Sequence, residues 1–556
     1  MPAQDADTDA GNVWLRQLFA AEANGPAELQ VHGLGTATVY VNGQRLVRNV
    51  DLASTVRTFD IRPLIRAGRN SVCVSISGEP EPKLSLTLRQ NESRALDQWK
   101  AATDPPPVGW QQTDFNDRDW KAMKPETPAQ APERAETVAW RSADASKRFQ
   151  ANGFSFRDQD HVVLIGGTFI ERAQQFGHLE SALNSDPEKY VTFRNLGWSA
   201  DTVLAESRGI FDTPEKGYER LIEHVRAEEP DVVLLCYGQN EAMSFPQGED
   251  GLKQFREGLS HLIRDIRTTG AEVVILSVHP LLPMPAPLPD PSRWNSTLAK
   301  YAQSAAAVAD ELDVGFVDLF ENFHRDLVAH HADVAHQHLP SVSPEDHPEL
   351  LQQLATVWTD NGMHWNETGY AAVGPLVADR LFGEFTAATE VNVNPLRQTV
   401  EAVTGAVTDV QWINDEPDIL KFAVQPTRVA GGYLRLMLTG NDPAFVVTVR
   451  DEASGGRTLA EQARVKRGDQ LFVQYSAPPG PSYEHLRQLV LRKNELYFHR
   501  WRPQNITYLF GFRKHEQGNN ASEIAQFDPL IAELESQIQQ AKQPQKLQVQ
   551  LQSAAD

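Results

Sequence analysis

Cysteine is scarce in this sequence: Cys73 and Cys236 are its two cysteines, too few for a disulfide framework. Long hydrophobic runs are missing too, since no apolar stretch approaches the roughly 18 residues that predict a membrane-spanning helix. Positive charge is outweighed, because 52 Lys and Arg residues face 74 Asp and Glu residues, a formal net charge of −22. An acidic surface of this size disfavours DNA or an anionic membrane as the main partner. We therefore expect a globular protein that binds neither nucleic acid nor membrane.

The amino terminus lacks an apolar segment, and its first residues, MPAQDADTDAG, are acidic. This composition predicts no signal peptide. Two interpretations remain open, a cytosolic start or a mature chain with an added Met, and the residues do not decide between them. We favour a secreted or periplasmic protein.

The central part of the sequence has the pattern of an α/β fold. Val162 to Ile165 run unbroken into a Gly-Gly turn, and a helical pattern follows, which predicts a buried strand, a tight turn and a helix. Further strand candidates alternate with helical stretches, which indicates βαβ crossovers in a three-layer fold around a parallel sheet. The predicted strands are 162–166, 191–197, 231–238, 272–278 and 314–319, and the predicted helices are Pro214 to Glu228, Leu252 to Thr268 and Trp294 to Leu312.

The flanking regions have β-rich and helical patterns. Residues 27–90 alternate with a two-residue period around an Asn42-Gly43 hairpin turn, which predicts an antiparallel sandwich. We predict two later helices, Ser482 to Trp501 and Pro529 to Ala541, and a loosely ordered end, QPQKLQVQLQSAAD. The predicted organisation is a β-sandwich at 12–122, a Pro-, Ala- and Glu-rich linker at 123–158, the α/β domain at 159–386, a small β-rich domain at 387–480 and a helical region at 481–556.

The predicted sandwich carries a family resemblance. The stretches VYVNGQRL and FDIRPLIRAGRNSVCVSI resemble jelly-roll, galactose-binding-like modules that are appended to many glycoside-processing enzymes. WQQTDFNDRDWKAM resembles a segment that often accompanies these modules. The resemblance implies a jelly-roll fold over about 100 residues. For function it leaves two alternatives, contact with a carbohydrate or bracing of a neighbouring catalytic domain.

Four short blocks of the α/β region carry a second resemblance. They are GGT at 166–168, NLGWSADT at 195–202, YGQNEA at 237–242 and DNGMHWNETGY at 360–370. In order and placement they resemble the blocks of the SGNH, or GDSL-like, hydrolase superfamily, which read roughly GDS, NxGxSGxT, GxND and DGxH. The resemblance covers about 220 residues and implies a flavodoxin-like three-layer fold and hydrolysis of esters without a cofactor. The chain from 160 to 530 also resembles multidomain GDSL-type proteins of planctomycete-like bacteria, in which GGTFIER, TDNGxH and HRWRPQN stretches recur together.

The resemblance also implies roles for individual residues. Thr168 matches the nucleophile, at the carboxyl end of a strand where open α/β sheets place their ligands. His364 matches the general base, and Thr168, Gly197 and Asn240 match the donors of the oxyanion hole. In acyl transfer a hydroxyl loses its proton to an imidazole while preorganised donors stabilise the tetrahedral oxyanion.

Two departures from the family pattern bear on catalysis. Thr168 replaces the usual serine, and its methyl group restricts χ1 and crowds the path of attack. Gly167 replaces the adjoining aspartate of GDS. The carboxylate expected three residues before the histidine is replaced by Asn361, with Asp360 one position earlier. An amide orients an imidazole without stabilising its positive charge, so both Asp360 and Asn361 stay candidates for the third catalytic group.

Each of these residues also has a structural interpretation when taken alone. Thr168 is then a turn residue at the start of a helix, Asn240 a loop residue, and His364 a structural histidine. Their occurrence together favours an active site. Further candidates for contact with the substrate are Glu171, Trp198, Glu241, Arg500 and Asn505. For Glu171 an ion pair with Arg172 is the other interpretation, and it is the one that we favour.

Two dense stretches suggest other functions less strongly. Six histidines lie within 324–347, but their spacing matches no standard zinc pattern and no cysteine is near, so we expect no metal site. Residues 492–520 interleave basic and aromatic side chains, although a nucleic-acid site would need a basic domain around them. We expect this stretch to pack on the hydrolase domain.

The sequence predicts an SGNH-type ester hydrolase that removes acyl groups, and we expect acetyl groups, from a carbohydrate or another small ester. The alternative is a non-catalytic carbohydrate-binding or scaffold protein that kept the fold and lost the triad. The sequence assigns no oligomeric state.

Overall fold

A computed structural model of the chain describes most of its residues, in two compact units, Met1–Lys147 and Arg148–Asp556. The described residues are 13–22, 26–53, 55–62, 64–77, 83–104, 106, 110–126, 135–138, 149–150, 153–209, 212–330, 348–383, 388–394, 397–413, 419–426, 433–438, 445–451, 457–465, 470–474, 481–502, 524–543 and 546–553.

The first unit contains two sheets that share one core. Its strands are β1 (Val13–Ala21), β2 (Glu28–Leu34), β3 (Thr36–Val41), β4 (Gln44–Asp51), β5 (Val56–Asp60), β6 (Gly68–Ser77), β7 (Lys83–Arg89), β8 (Ser93–Ala95), β9 (Trp99–Ala102), β10 (Lys121–Met123) and β11 (Ala135–Val138). The sheet orders are β10-β9-β1-β6-β3-β4 and β11-β5-β2-β7-β8. The core takes Leu15 and Val74 from one sheet and Leu29 and Leu86 from the other. The predicted antiparallel strands are confirmed, and β11, which pairs in parallel with β5, lies within the predicted linker.

The second unit begins with a short hairpin and continues as the predicted α/β domain. The hairpin is β12 (Phe149–Gln150) and β13 (Gly153–Phe154), and the sheet strands are β14 (His161–Gly166), β15 (Thr192–Asn195), β16 (Val232–Cys236), β17 (Glu272–Leu276) and β18 (Gly315–Val317). All four pairings within the sheet are parallel, and the order is β15-β14-β16-β17-β18. This 2-1-3-4-5 order is that of flavodoxin-like folds, which bind ligands between the first and third strands.

Helices cover both faces of this sheet. They are α1 (Thr168–Phe176), α2 (His178–Leu183), α3 (Pro214–Glu228), α4 (Gln239–Ser244), α5 (Glu249–Arg267), α6 (Ser292–Leu312), α7 (Phe323–His330), α8 (Pro348–Trp358) and α9 (Glu367–Phe382). Alternate residues of β14 feed two cores: Leu164 packs in the cluster with Tyr370, and Ile165 packs in the cluster with Phe255. The three-layer fold expected from the sequence is confirmed.

The small β-rich region consists of two further sheets. Its strands are β19 (Ala388–Asn394), β20 (Thr399–Ala402), β21 (Ala406–Ile413), β22 (Ile419–Gln425), β23 (Tyr433–Leu438), β24 (Phe445–Asp451), β25 (Arg457–Val465), β26 (Gln470–Gln474) and β27 (Leu547–Ser553). β27 lies between β22 and β24 in the five-stranded sheet, so the prediction of a loosely ordered end is wrong for 547–553. Its alternation places Leu547, Val549 and Leu551 in the core.

The last two helices are α10 (Pro481–Trp501) and α11 (Phe527–Ala541), close to their predicted bounds. A buried ion pair joins α10 to the α/β domain. Lys493 Nζ lies 2.7 Å from Glu180 Oε1 and donates to the Phe193 carbonyl at 2.9 Å. None of the helices within the described residues is long and apolar enough to cross a membrane.

Removing the positive charge of Lys493 tests how much its ion pair with Glu180 stabilises the packing of α10 on the α/β domain. Lys493→Met should lower the free energy of unfolding of the second unit by about 3–5 kcal/mol, because Glu180 would be left buried without its partner. The measurement is urea unfolding followed by circular dichroism, with Lys300→Met, at an exposed position of α6, as control. A loss no larger than that of the control would contradict the expectation.

Candidate active site

Thr168 is the first residue of α1, directly after the Gly166-Gly167 turn that ends β14. Gly166 has a φ of 155°, and a Cβ there would lie 2.4 Å from the Cys236 carbonyl oxygen of the neighbouring strand, so only glycine fits this approach. The Thr168 hydroxyl accepts a hydrogen bond from the backbone N–H of Ala200 at 3.3 Å. The turn therefore presents a hydroxyl to a backbone donor at the carboxyl edge of the sheet.

Asn240 follows the neighbouring strand β16 and lies beside the same turn. Its Nδ2 donates to the Asp201 carbonyl at 2.6 Å, which uses one of its two amide hydrogens. A Cβ on Gly167 would lie 2.6 Å from Asn240 Nδ2. The glycine that stands in place of the family's aspartate thus makes room for this amide.

The structure corrects the assignment of Gly197 to the oxyanion hole. Its N–H donates to Asn195 Oδ1 at 2.8 Å, and a Cβ on it would lie 2.4 Å from the Glu171 nitrogen. Gly197 is therefore a packing glycine, and Ala200 supplies the N–H that faces Thr168. The second glycine of the NxGxSGxT pattern falls on Ala200, and this register was the available signal.

The segment that carries Ala200 is held by buried polar contacts. Trp198 N–H donates to the Gly166 carbonyl at 2.9 Å. The Asp201 carboxylate accepts from Arg208 Nε at 2.8 Å and from the Tyr237 hydroxyl at 3.1 Å, and both charged side chains are fully buried. A buried, hydrogen-bonded ion pair of this kind favours a single arrangement of the loop.

His364 ends a tight turn whose first residues are Asp360 and Asn361. Asn361 Oδ1 accepts the N–H groups of Met363 at 3.1 Å and His364 at 2.9 Å, and its Nδ2 lies 3.4 Å from His364 Nδ1. Asp360 instead pairs with Arg172 Nη2 at 3.0 Å. Of the two candidates for the third catalytic group, Asn361 faces the ring, and Asp360 does not.

This arrangement determines where the neutral imidazole carries its proton. Because Asn361 Oδ1 is occupied by two backbone donors, its amide presents N–H to His364 Nδ1, and the ring proton then lies on Nε2. Burial and the nearby Arg172 lower the pKa of His364, while Asp360 opposes them. Among the described residues no hydrogen bond joins Thr168 to His364.

A second histidine, His279, lies beside the first turn of α1 and was not predicted as a site residue from the sequence. It is buried after β17, and its ring packs against Phe169 with centroids 4.9 Å apart. Nε2 accepts from Trp365 Nε1 at 3.1 Å, and Nδ1 donates to the Pro280 carbonyl at 3.0 Å. Both nitrogens are thus occupied, and burial lowers the pKa of the ring to about 4. His279 is placed to shape the site and not to accept a proton.

Both carboxylate oxygens of Glu241, a predicted substrate contact, bind backbone N–H groups in the structure. The side chain is fully buried, with Oε1 accepting from Val203 N–H at 2.8 Å and Oε2 from Gly238 N–H at 2.7 Å. Burial raises its pKa to about 7. Glu241 therefore links the β16 turn to the loop after β15.

Of the other candidates for substrate contact, Glu171 and Trp198 pack against Arg502 instead of lining the cleft. Glu171 Oε1 pairs with Arg502 Nη1, and the Arg502 guanidinium lies 3.5 Å from the centroid of the Trp198 ring. Arg500 pairs with Asp528, and it is not among the residues that line the cleft. The expected pair of Glu171 with Arg172 is not formed, because Arg172 pairs with Asp360, and Asn505 lies outside the described residues.

A small cleft opens at this edge of the sheet, with about 300 Å³ of empty space including its mouth. Thr168 and Asn240 line it, together with Glu241 and His279. His364 is not among its lining residues. The structure thus brings the hydroxyl and its donors together, and it holds the proposed base on the adjacent turn.

No group of three or more metal-ligating side chains occurs among the residues that the structure describes. His324 is half-buried within α7, and His331, His336, His338 and His347 of the dense stretch lie outside the described residues.

Because His279 is buried in its neutral form, we expect the free energy of unfolding to depend on pH. Its folded pKa of about 4 lies below the ordinary 6.5, so the unfolded chain binds more protons between these values and stability falls as the pH drops through this window. We expect the free energy of unfolding to fall from pH 7 to pH 5, and to fall less in His279→Gln, whose amide oxygen can still accept from Trp365. Urea unfolding at both pH values measures this, and equal losses in the two proteins would contradict it.

The chain matches a protein-family model in its α/β region and is similar at low identity to solved structures. Residues 171–372 match the model of the GDSL-like Lipase/Acylhydrolase family, and no curated protein matches the chain. A gut microbial diltiazem-metabolizing enzyme is similar with 12% identity and a TM-score of 0.45, over 72% of this chain and 99% of that one. A catalytic mutant of an acetylxylan esterase from Geobacillus stearothermophilus is similar with 16% identity and a TM-score of 0.28, over 41% of this chain and 96% of that one.

At these TM-scores neither likeness carries an argument about this chain. The family match stands apart from them. It begins at Glu171, three residues after Thr168, and covers the rest of α1, the Asn195–Thr202 loop, the β16 turn and the His364 turn. The α/β region of this chain is therefore a GDSL-like lipase/acylhydrolase domain.

Proposed function

We propose that the α/β domain hydrolyses short acyl esters, with Thr168 as the nucleophile and His364 as the general base. The observation that carries this proposal is the Thr168 hydroxyl, set at the carboxyl edge of the sheet against the Ala200 N–H and beside the Asn240 amide. Donors in this position are what a tetrahedral intermediate requires, and each is worth about 10²–10³ in rate in comparable sites.

The chemistry follows the two-step course of hydroxyl nucleophiles. The imidazole of His364 first takes the tautomer with its proton on Nδ1. Thr168 Oγ1 then attacks the carbonyl carbon and gives its proton to the freed Nε2, while the new oxyanion accepts from Ala200 N–H and the second hydrogen of Asn240 Nδ2. The alcohol leaves with the proton from His364, and water then cleaves the acyl-threonine by the reverse sequence. The hydrogen bond from Thr168 to His364 forms with substrate present, as catalytic contacts often tighten only in the complex.

The proposed substrate is an acetylated carbohydrate. The cleft is small, with about 300 Å³ of empty space including its mouth, and it suits a short acyl group better than a long one. The carbohydrate part of the proposal rests on the resemblance of the first unit to modules of glycoside-processing enzymes. Release of acetate from acetylated xylan, compared with release from an acetylated non-sugar alcohol, tests that part separately.

One observation favours a second function, carbohydrate binding or scaffolding without catalysis. Asn361 places the proton of His364 on Nε2, the nitrogen that must accept the proton of the nucleophile. In a site without catalytic activity, a proton on Nε2 of His364 would have no functional consequence. Glycan binding in calorimetry together with no labelling of Thr168 by a fluorophosphonate probe would favour this alternative.

The first test concerns the nucleophile. Thr168→Ala should abolish hydrolysis of p-nitrophenyl acetate, whereas Thr168→Ser should raise kcat several-fold, because the methyl group that restricts χ1 is removed. The matched control is Thr213→Ala, at an exposed threonine directly before α3. Equal rates in wild type and Thr168→Ala would contradict the proposal.

The second test concerns the third catalytic group. Asn361→Asp should raise kcat at least tenfold, because one carboxylate oxygen keeps the two backbone bonds and the other accepts Nδ1–H, which frees Nε2. The reverse exchange costs about 10⁴ in a serine-protease triad. The kcat–pH profile should also move to higher pH, since the carboxylate stabilises the imidazolium. An unchanged kcat with an unchanged profile would exclude His364 as the base.

A further inference from the structure

The turn that carries Ala200 is in a strained conformation. Ala200 has a φ of 62°, in the left-handed region that costs a residue with a Cβ roughly 1–2 kcal/mol. Such a conformation persists only when the surroundings enforce it. Its N–H is nevertheless the donor that faces Thr168, so whatever enforces the turn also positions the proposed oxyanion donor.

Glu171 holds the residue immediately before Ala200. It lies in the first turn of α1, and its Oε2 accepts from Ser199 N–H at 2.7 Å and from the Ser199 hydroxyl. Its other oxygen, Oε1, pairs with Arg502. The Glu171 carboxylate therefore joins the nucleophile helix, the Ser199 backbone and a cation from a distant part of the chain.

Arg502 holds the residue on the other side of Ser199. It directly follows α10, and its guanidinium lies over the Trp198 ring, 3.5 Å from the centroid. Trp198 is itself buried, and the Trp501 ring approaches it edge-on at 6.0 Å. A planar guanidinium can stack on a ring and donate to a carboxylate at the same time, whereas a lysine ammonium cannot do both.

We propose that Arg502 is a positioning residue, which fixes the Trp198–Ala200 turn through Trp198 and Glu171 and so aims the Ala200 N–H at the Thr168 hydroxyl. This inference rests on the proposed function for its catalytic consequence. It assigns to the end of α10 a part in the site that lies outside the residues matched by the family model.

The test compares Arg502→Met and Arg502→Lys with Arg492→Met, which removes the same charge from an exposed position of α10. The first readout is amide hydrogen exchange of the peptide containing Ser199 and Ala200. Arg502→Met should exchange these amides at least tenfold faster than wild type, and Arg502→Lys should restore little of the protection. Exchange in Arg502→Met equal to that in Arg492→Met would overturn the proposal.

The second readout is hydrolysis of p-nitrophenyl acetate. Arg502→Met should lower kcat at least tenfold with KM changed less than twofold, because the oxyanion forms only in the transition state. A rise in KM at unchanged kcat would overturn the positioning role. Equal hydrolysis by wild type and Thr168→Ala would instead refute the proposed function, and the exchange result would still decide whether Arg502 restrains the turn.

Discussion

The contact between the backbone of Gly197 and the first turn of α1 is the constraint on which the site depends. A Cβ at this position would lie 2.4 Å from the Glu171 nitrogen, so helix and loop approach as closely as two backbones allow. At this separation the following residues pass in front of the end of β14, where Trp198 N–H reaches the Gly166 carbonyl. The Ala200 amide then meets the hydroxyl of Thr168, and a larger residue at 197 would move the two apart.

Strand and helix positions were predictable because buried parallel strands and amphipathic helices have distinct periods. The order of the four blocks also located the edge of the sheet where the site lies. The direction in which a side chain points could not be predicted from the sequence. Arg500 and Arg502 are two residues apart at a helix end, where such neighbours do not share a face, and one pairs with Asp528 while the other reaches the site.

The same limit applies to the group behind the imidazole. Asp360 carries the charge that a triad needs, but Arg172 engages it from α1. Asn361 faces the ring because two backbone N–H groups of the turn fix its oxygen. The spacing of residues cannot reveal this, since it depends on which side chain closes the turn. Burial was equally hidden at Glu241, whose charge suggested a surface role although both oxygens serve buried backbone donors.

The central position of β27 has a consequence for assembly. Its partners β22 and β24 precede it by roughly 120 and 100 residues, so their pairing closes a very long loop, at an entropic cost that grows with loop length. The intervening segment contains α10 and α11, whose Lys493 and Arg194–Glu535 contacts fasten it to the α/β domain. Docking of these helices shortens the free chain and raises the local concentration of β27 near its partners. Insertion of β27 into its sheet therefore depends on the α/β domain, although that domain contributes no strand to the sheet.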